Sequence, residues 1–137
     1  MTYSTYGANH LGDHARGRTS YTMPTTALAL YTSSPGVGGT AVTNEVAYGG
    51  YARVPCGTGA GSVFSAASSG SSNNASGAIS FPALTSGGPV TITYVGIVDS
   101  TAGAGNLIEF GALSASVTYN NAQTPSFNTG ALTDLFT

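Results

Sequence analysis

His10, Asp13 and His14 form the pattern H-x-x-D-H. On a helix, histidines four apart share a face, the spacing that zinc enzymes use. The zinc-protease pattern also needs a Glu base, and a third ligand must come from elsewhere; neither is evident. No metal or other cofactor is expected, and His10 and His14 read as the polar face of a helix at an interface. Residues 57–62, GTGAGS, resemble a phosphate-binding loop, but no Lys follows and no helical pattern begins there. Cys56 lies between Pro55 and Gly57 with no base near it in sequence, which suits a small structural residue. Serines are abundant, but both histidines lie near the N-terminus and no G-x-S-x-G elbow exists. The acids, at 13, 45, 99, 109 and 134, are scattered rather than paired for glycoside cleavage. Asp99 precedes a Gly-rich turn and is expected to cap it through its side chain. Asn74-Ala75-Ser76 is a glycosylation sequon that would need a secretory route to be used. With no constellation that supports catalysis, the chain reads as a non-enzyme.

Arg53 is one of only three cations, so its place in a strand invites a partner. A turn over Ala47–Tyr51 around Gly49-Gly50 sets Glu45 opposite Arg53. This pair is expected to fix strand register or to face a neighbouring subunit.

The elements that must carry these residues follow from composition and pattern. The chain has 137 residues, one domain's worth. Charged residues are 6 %, against about 25 % in an average soluble domain. Gly numbers 20, and Ser plus Thr add 36, so hydroxyls, amides and bare backbone must cover the surface. A net charge of −2 with three Arg and no Lys excludes a phosphate-backbone partner and a Walker A loop. One cysteine excludes an intrachain disulfide. The start, MTYSTY, has neither a basic nor an apolar segment of a secretory signal, and no apolar run is long enough to span a bilayer. Synthesis in the cytoplasm is expected. A surface this poor in charge suits burial against partners.

Residues 8–16 predict a short helix, with Asn9 as cap and Gly17 as stop. Strands are predicted over 26–32, 51–54, 78–81, 90–98, 106–113 and 115–119, with a weak one around Phe127 and Leu132. Residues 57–77 read as a long loop in which Val63 and Phe64 could anchor a strand. The pattern predicts an all-β fold: an antiparallel sandwich of seven to eight short strands over 19–137, preceded by an N-terminal arm over 1–18 with a short helix. Leu28, Leu30, Ile79, Phe81, Ile92, Tyr94, Val117 and Tyr119 lie in phase on these strands and are the expected core.

Four ordered segments carry a resemblance: TSYTMPTTALALYTSSP (19–35), NEVAYGGYARV (44–54), SNNASGAISFP (72–82) and VGIVDSTAGAGNLIEFGALS (95–114). In this order and spacing, over about residues 9–119, the chain resembles a family of small tailed-bacteriophage virion proteins labelled tail fibre proteins, some of which resemble capsid decoration, or cement, proteins. It departs from that family at Asn120-Asn121, where a Gly-Asp turn is usual, and at Ser86-Gly87-Gly88-Pro89, where a Trp is often found. The resemblance implies a β-rich structural protein of the virion with no catalytic residues to carry over. The chain is compact and lacks a helical shaft or fixed-period repeat. It is therefore expected to be a capsid decoration protein, a homotrimer on the outer surface of the major capsid protein. The alternative is a small tail-fibre or tail-tip component involved in binding a host receptor.

Overall fold

The computed structural model describes residues 1–22 and 24–135. Strands β1 (Thr2–Tyr3), β2 (Ala27–Tyr31), β3 (Val54–Pro55), β6 (Val90–Val98) and β7 (Leu107–Tyr119) form an antiparallel five-stranded sheet in the order β1-β7-β6-β2-β3. Strands β4 (Ser71–Asn73) and β9 (Thr133–Leu135) form one small sheet, and β5 (Ile79–Ser80) and β8 (Ser126–Phe127) another. Helix α1 (Thr5–Ala15) is the one α-helix among the described residues. The all-β reading holds.

Strand β2 sits inside the molecule and is buried along its whole length. Its alternation divides the core: Leu28 and Leu30 face one way with Phe81, Leu84, Ile92 and Val95, while Ala27, Ala29 and Tyr31 face the other with Val98, Leu107 and Phe110. The second half of β6 is covered on both faces, as its continuous apolar run predicts.

The helix starts earlier than expected. Ser4, not Asn9, is the N-cap, and its Oγ accepts the Gly7 N–H at 3.0 Å. Ser4 also donates its hydroxyl to the Leu107 carbonyl, and its N–H donates to Ile108 O at 2.9 Å. Residues of the expected arm thus supply the edge strand β1 and a helix lying against β7. Gly7 permits this approach, because a Cβ there would sit 2.3 Å from the Ile108 carbonyl oxygen. The helix does end at Gly17, whose φ of 70° is the left-handed stop.

The two strands expected at 106–113 and 115–119 are one strand, β7, bent by a bulge. Ile92 pairs with Val117 and Tyr94 with Ala112, so residues 113–116 stand opposite Thr93 alone. This irregularity flips β6 as well: Ile92 and Val95 face one core, whereas Tyr94 turns to the other, beside Phe110. Tyr94 and Tyr119 are half-buried, and Val117 is 41 % exposed, contrary to expectation. Val117 lies on the core-facing side with its partner Ile92, but the small sheets stop short of covering it. The predicted strand at 51–54 shrinks to Val54–Pro55, because Tyr48–Tyr51 turns away from the sheet, and Val63 and Phe64 pack against the core from a loop. Residues 71–73, expected as loop, become β4 because the C-terminal β9 pairs with them.

Candidate assembly surface

Part of the small charge complement is used inside the fold. Glu45 and Val46 bond to the edge of β2 at Tyr31 and Leu30, and Val54 and Pro55 pair with the same edge at Leu28 and Ala27. The loop between them is closed at its neck by Arg53 and Glu45. Arg53 Nε donates to Glu45 Oε1 and Nη2 to Oε2, both at 2.7 Å, a bidentate pair whose side chains are only 3 % and 12 % exposed. The remaining N–H groups donate to Ser100 O, Ser100 Oγ and Gly103 O at 3.1, 2.7 and 2.8 Å, so all five guanidinium donors are engaged. Tyr51 Oη donates to Glu45 Oε1 at 2.9 Å and accepts the Leu30 N–H at 3.1 Å. Hydrogen bonding to Glu45 raises the Arg53 pKa, and burial raises those of Tyr51 and Tyr31. The anticipated pairing of Glu45 with Arg53 is present, although the loop is wider than a simple hairpin. Asp99 caps its turn as expected, accepting from Asn106 N at 2.6 Å and Asn106 Nδ2 at 2.7 Å.

The histidines lie on α1 and hold the chain that leaves it. His10 packs between Tyr6 and Tyr21, with ring centroids 4.3 and 5.3 Å away, and His14 Nδ1 accepts the Tyr21 N–H at 3.1 Å. Burial, and then Asp99, raise the Tyr6 pKa. No group of three or more His, Cys, Asp or Glu side chains converges among the described residues. Cys56 is buried, which pushes its thiol up to about 11 and makes it a poor nucleophile. Asn74 of the sequon is fully buried: its side chain donates to Gly77 O and Asn128 O and accepts from Leu132 N, leaving no free amide to modify.

With these residues accounted for, Arg16 and Arg18, at the C-terminal end of α1, are the fully exposed charged side chains among the described ones, while Asp13, Glu45 and Asp99 are half-buried. The rest of the described exterior is poor in charge. It contains a cleft of about 450 Å³ between the second half of β7 and the segment 125–133. Leu113, Val117, Tyr119 and Phe127 line it with Met1, and the buried side chains of Ile92 and Leu132 form its floor. It is an opening through which the core meets the surface. The sequence does not reveal this cleft, because Val117 has the right phase for burial and only the lack of cover exposes it. Among the described residues, Val37 and Val42 are the other large exposed apolar side chains, at 55 % and 50 %. Their signal was legible: two valines within the turn-rich run SSPGVGGTAV, in phase with nothing.

Residues 2–134 match the protein family described as Podophage GP4 fiber I protein gp80. The chain belongs to this family. It is therefore a structural protein of the phage virion, as the resemblance implied. No curated protein matches this gp80-family chain.

Proposed function

We propose that this gp80-family chain is a structural subunit of the phage tail fibre, acting by assembly and not by catalysis. The observation that supports this reading is an exterior poor in charge, with Arg16 and Arg18 the fully exposed charged side chains among the described ones and the core open at one cleft. Such a surface suits permanent burial against neighbouring subunits through apolar and hydrogen-bonded contacts. The family description favours the fibre over capsid decoration.

The test is a quantitative protein gel of purified particles read against the major capsid protein, with antibody labelling viewed by electron microscopy. A fibre subunit is present in a handful to a few tens of copies and labels the tail. Hundreds of copies on the head would establish capsid decoration instead, and absence from particles would defeat both readings.

A further inference from the structure

After its stop at Gly17, the chain doubles back along α1. Arg18 N–H closes the helix on Asp13 O at 2.9 Å, and the fastenings of residues 19–22 then converge on Tyr21. The Tyr21 N–H donates to His14 Nδ1 at 3.1 Å, and its ring centroid lies 5.3 Å from that of His10, which in turn lies 4.3 Å from that of Tyr6. Tyr6, His10 and His14 are four residues apart, so they stand on one helix face beneath this strap. The closed arrangement is lightly held. Among the described residues, the Tyr21 N–H makes the only hydrogen bond from 19–22 to the helix. Thr19, Ser20 and Thr22 are exposed, and Tyr21 Oη is buried without a hydrogen-bond partner, which counts against closure. Burial, then the nearby Tyr6 hydroxyl and Asp99 carboxylate, raise the Tyr21 pKa, so this hydroxyl stays neutral.

An imidazole nitrogen that accepts a hydrogen bond carries no proton, so neutral His14 holds its proton on Nε2. A second proton goes to Nδ1, turns this acceptor into a donor and sets it against the Tyr21 N–H. Protonation at Nδ1 and closure of the strap therefore exclude one another. We propose that residues 19–22 form a pH-released strap, shut on α1 while His14 is neutral and freed when His14 takes a proton. The helix itself contributes Tyr6, His10, Asp13 and Arg16 to this end of the molecule, and the strap side Arg18 and Tyr21. Asp99 comes from the turn after β6, while the strands against which α1 packs carry Tyr3 in β1 and the buried Glu109 in β7. Arg16 and Arg18 oppose a further positive charge, whereas Asp13 and the last-turn position of His14 accommodate it. His10 is not the switch, because its neighbours are tyrosine rings, whose faces accept a cation. Imidazoles ordinarily titrate around pH 6.5, so the strap opens between about pH 7.5 and pH 5. Opening uncovers the Tyr6 and His10 face of α1 and brings the Tyr21 hydroxyl to water. This holds whether the subunit sits on the tail or on the head.

The test is amide hydrogen exchange of the full chain, read residue by residue by NMR at pH 7.5 and pH 5 and corrected for the intrinsic pH dependence of exchange. Protection of the Tyr21 amide falls by roughly tenfold at the lower pH, while the amides of Ala27–Tyr31 in the core keep theirs, which separates strap release from general loss of stability. His14→Gln keeps an acceptor oxygen that cannot be protonated in this range, so its Tyr21 protection is the same at both pH values. His10→Gln retains the wild-type fall. Both histidines are exposed, so neither change disturbs the core, and circular dichroism confirms that each variant is folded. Tyr21 protection that does not change with pH in the wild type, a fall that persists in His14→Gln, or a fall abolished by His10→Gln would overturn the proposal. Particle stoichiometry tests the fibre reading without reference to the strap, so the two can fail separately.

Discussion

Arg53→Met removes the guanidinium while retaining most of the stem's packing. It strands the Glu45 carboxylate and the carbonyls of Ser100 and Gly103, which receive Arg53 donors in a site where the Arg53 side chain is only 3 % exposed. Removing one partner of a buried pair costs about 3–5 kcal/mol. Glu45 keeps the Tyr51 hydroxyl and some solvent, which places the loss near the lower end, about 3 kcal/mol. For a domain of this size that lowers Tm by roughly 10 °C. Arg53→Lys recovers only part of the loss, because an ammonium cannot supply the fork. Adding Glu45→Met to Arg53→Met removes the stranded carboxylate, so the double variant is less destabilised than the sum of the singles, with a coupling of about 1–3 kcal/mol. The assay is urea and thermal unfolding followed by circular dichroism, at a concentration where the chain is monomeric, since association would add apparent stability. A loss under about 1 kcal/mol for Arg53→Met, or a coupling near zero, would refute the clamp.

Phe81→Ala should cost about 3–5 kcal/mol in urea unfolding, because the ring is 2 % exposed and sits between Tyr51 and Phe127; a much smaller loss would place it outside the core. Gly7→Ala should cost about 1–3 kcal/mol and raise hydrogen exchange in α1, since the new Cβ must push the helix off the Ile108 carbonyl. Burial raises the folded-state pKa of Cys56 to about 11, and also raises those of Tyr31 and Tyr51. The stability from such groups is complete below the unfolded thiol value of about 8.5 and is lost as pH rises through the folded one. Urea midpoints should therefore hold to about pH 8.5 and fall steadily towards pH 11; a flat or rising profile there would contradict the burial of these groups.

Local pattern reports which way a side chain faces but not what covers it. Leu28, Leu30, Ile79, Phe81 and Ile92 follow their phase into the core. Val117 follows the same phase and stays exposed because no strand lies over it. Tyr94 fails for another reason: the bulge opposite Thr93 reverses the alternation, and nothing in VTITYV marks it. Strand β4 was invisible because its partner β9 lies some sixty residues further on, and small residues alone carry no strand signal. Glu45 and Arg53 were legible as a pair because charges are so scarce that each demands a partner. The bonds from Arg53 to Ser100 and Gly103 depend on how the 99–105 turn folds back, which no local rule states. His14 as acceptor for the Tyr21 N–H likewise depends on the path of the chain after Gly17.

If apolar and backbone contacts hold this chain in the virion, as proposed, it stays on purified particles through a salt wash. The Debye length falls from about 10 Å at 0.1 M to about 3 Å at 1 M salt, so charge-based attachment would fail in about 1 M sodium chloride. Apolar and backbone contacts do not weaken in that way, whereas urea solvates both. The bound fraction should stay unchanged in the salt wash and fall in urea before the capsid shell breaks. Release by sodium chloride alone would contradict the account.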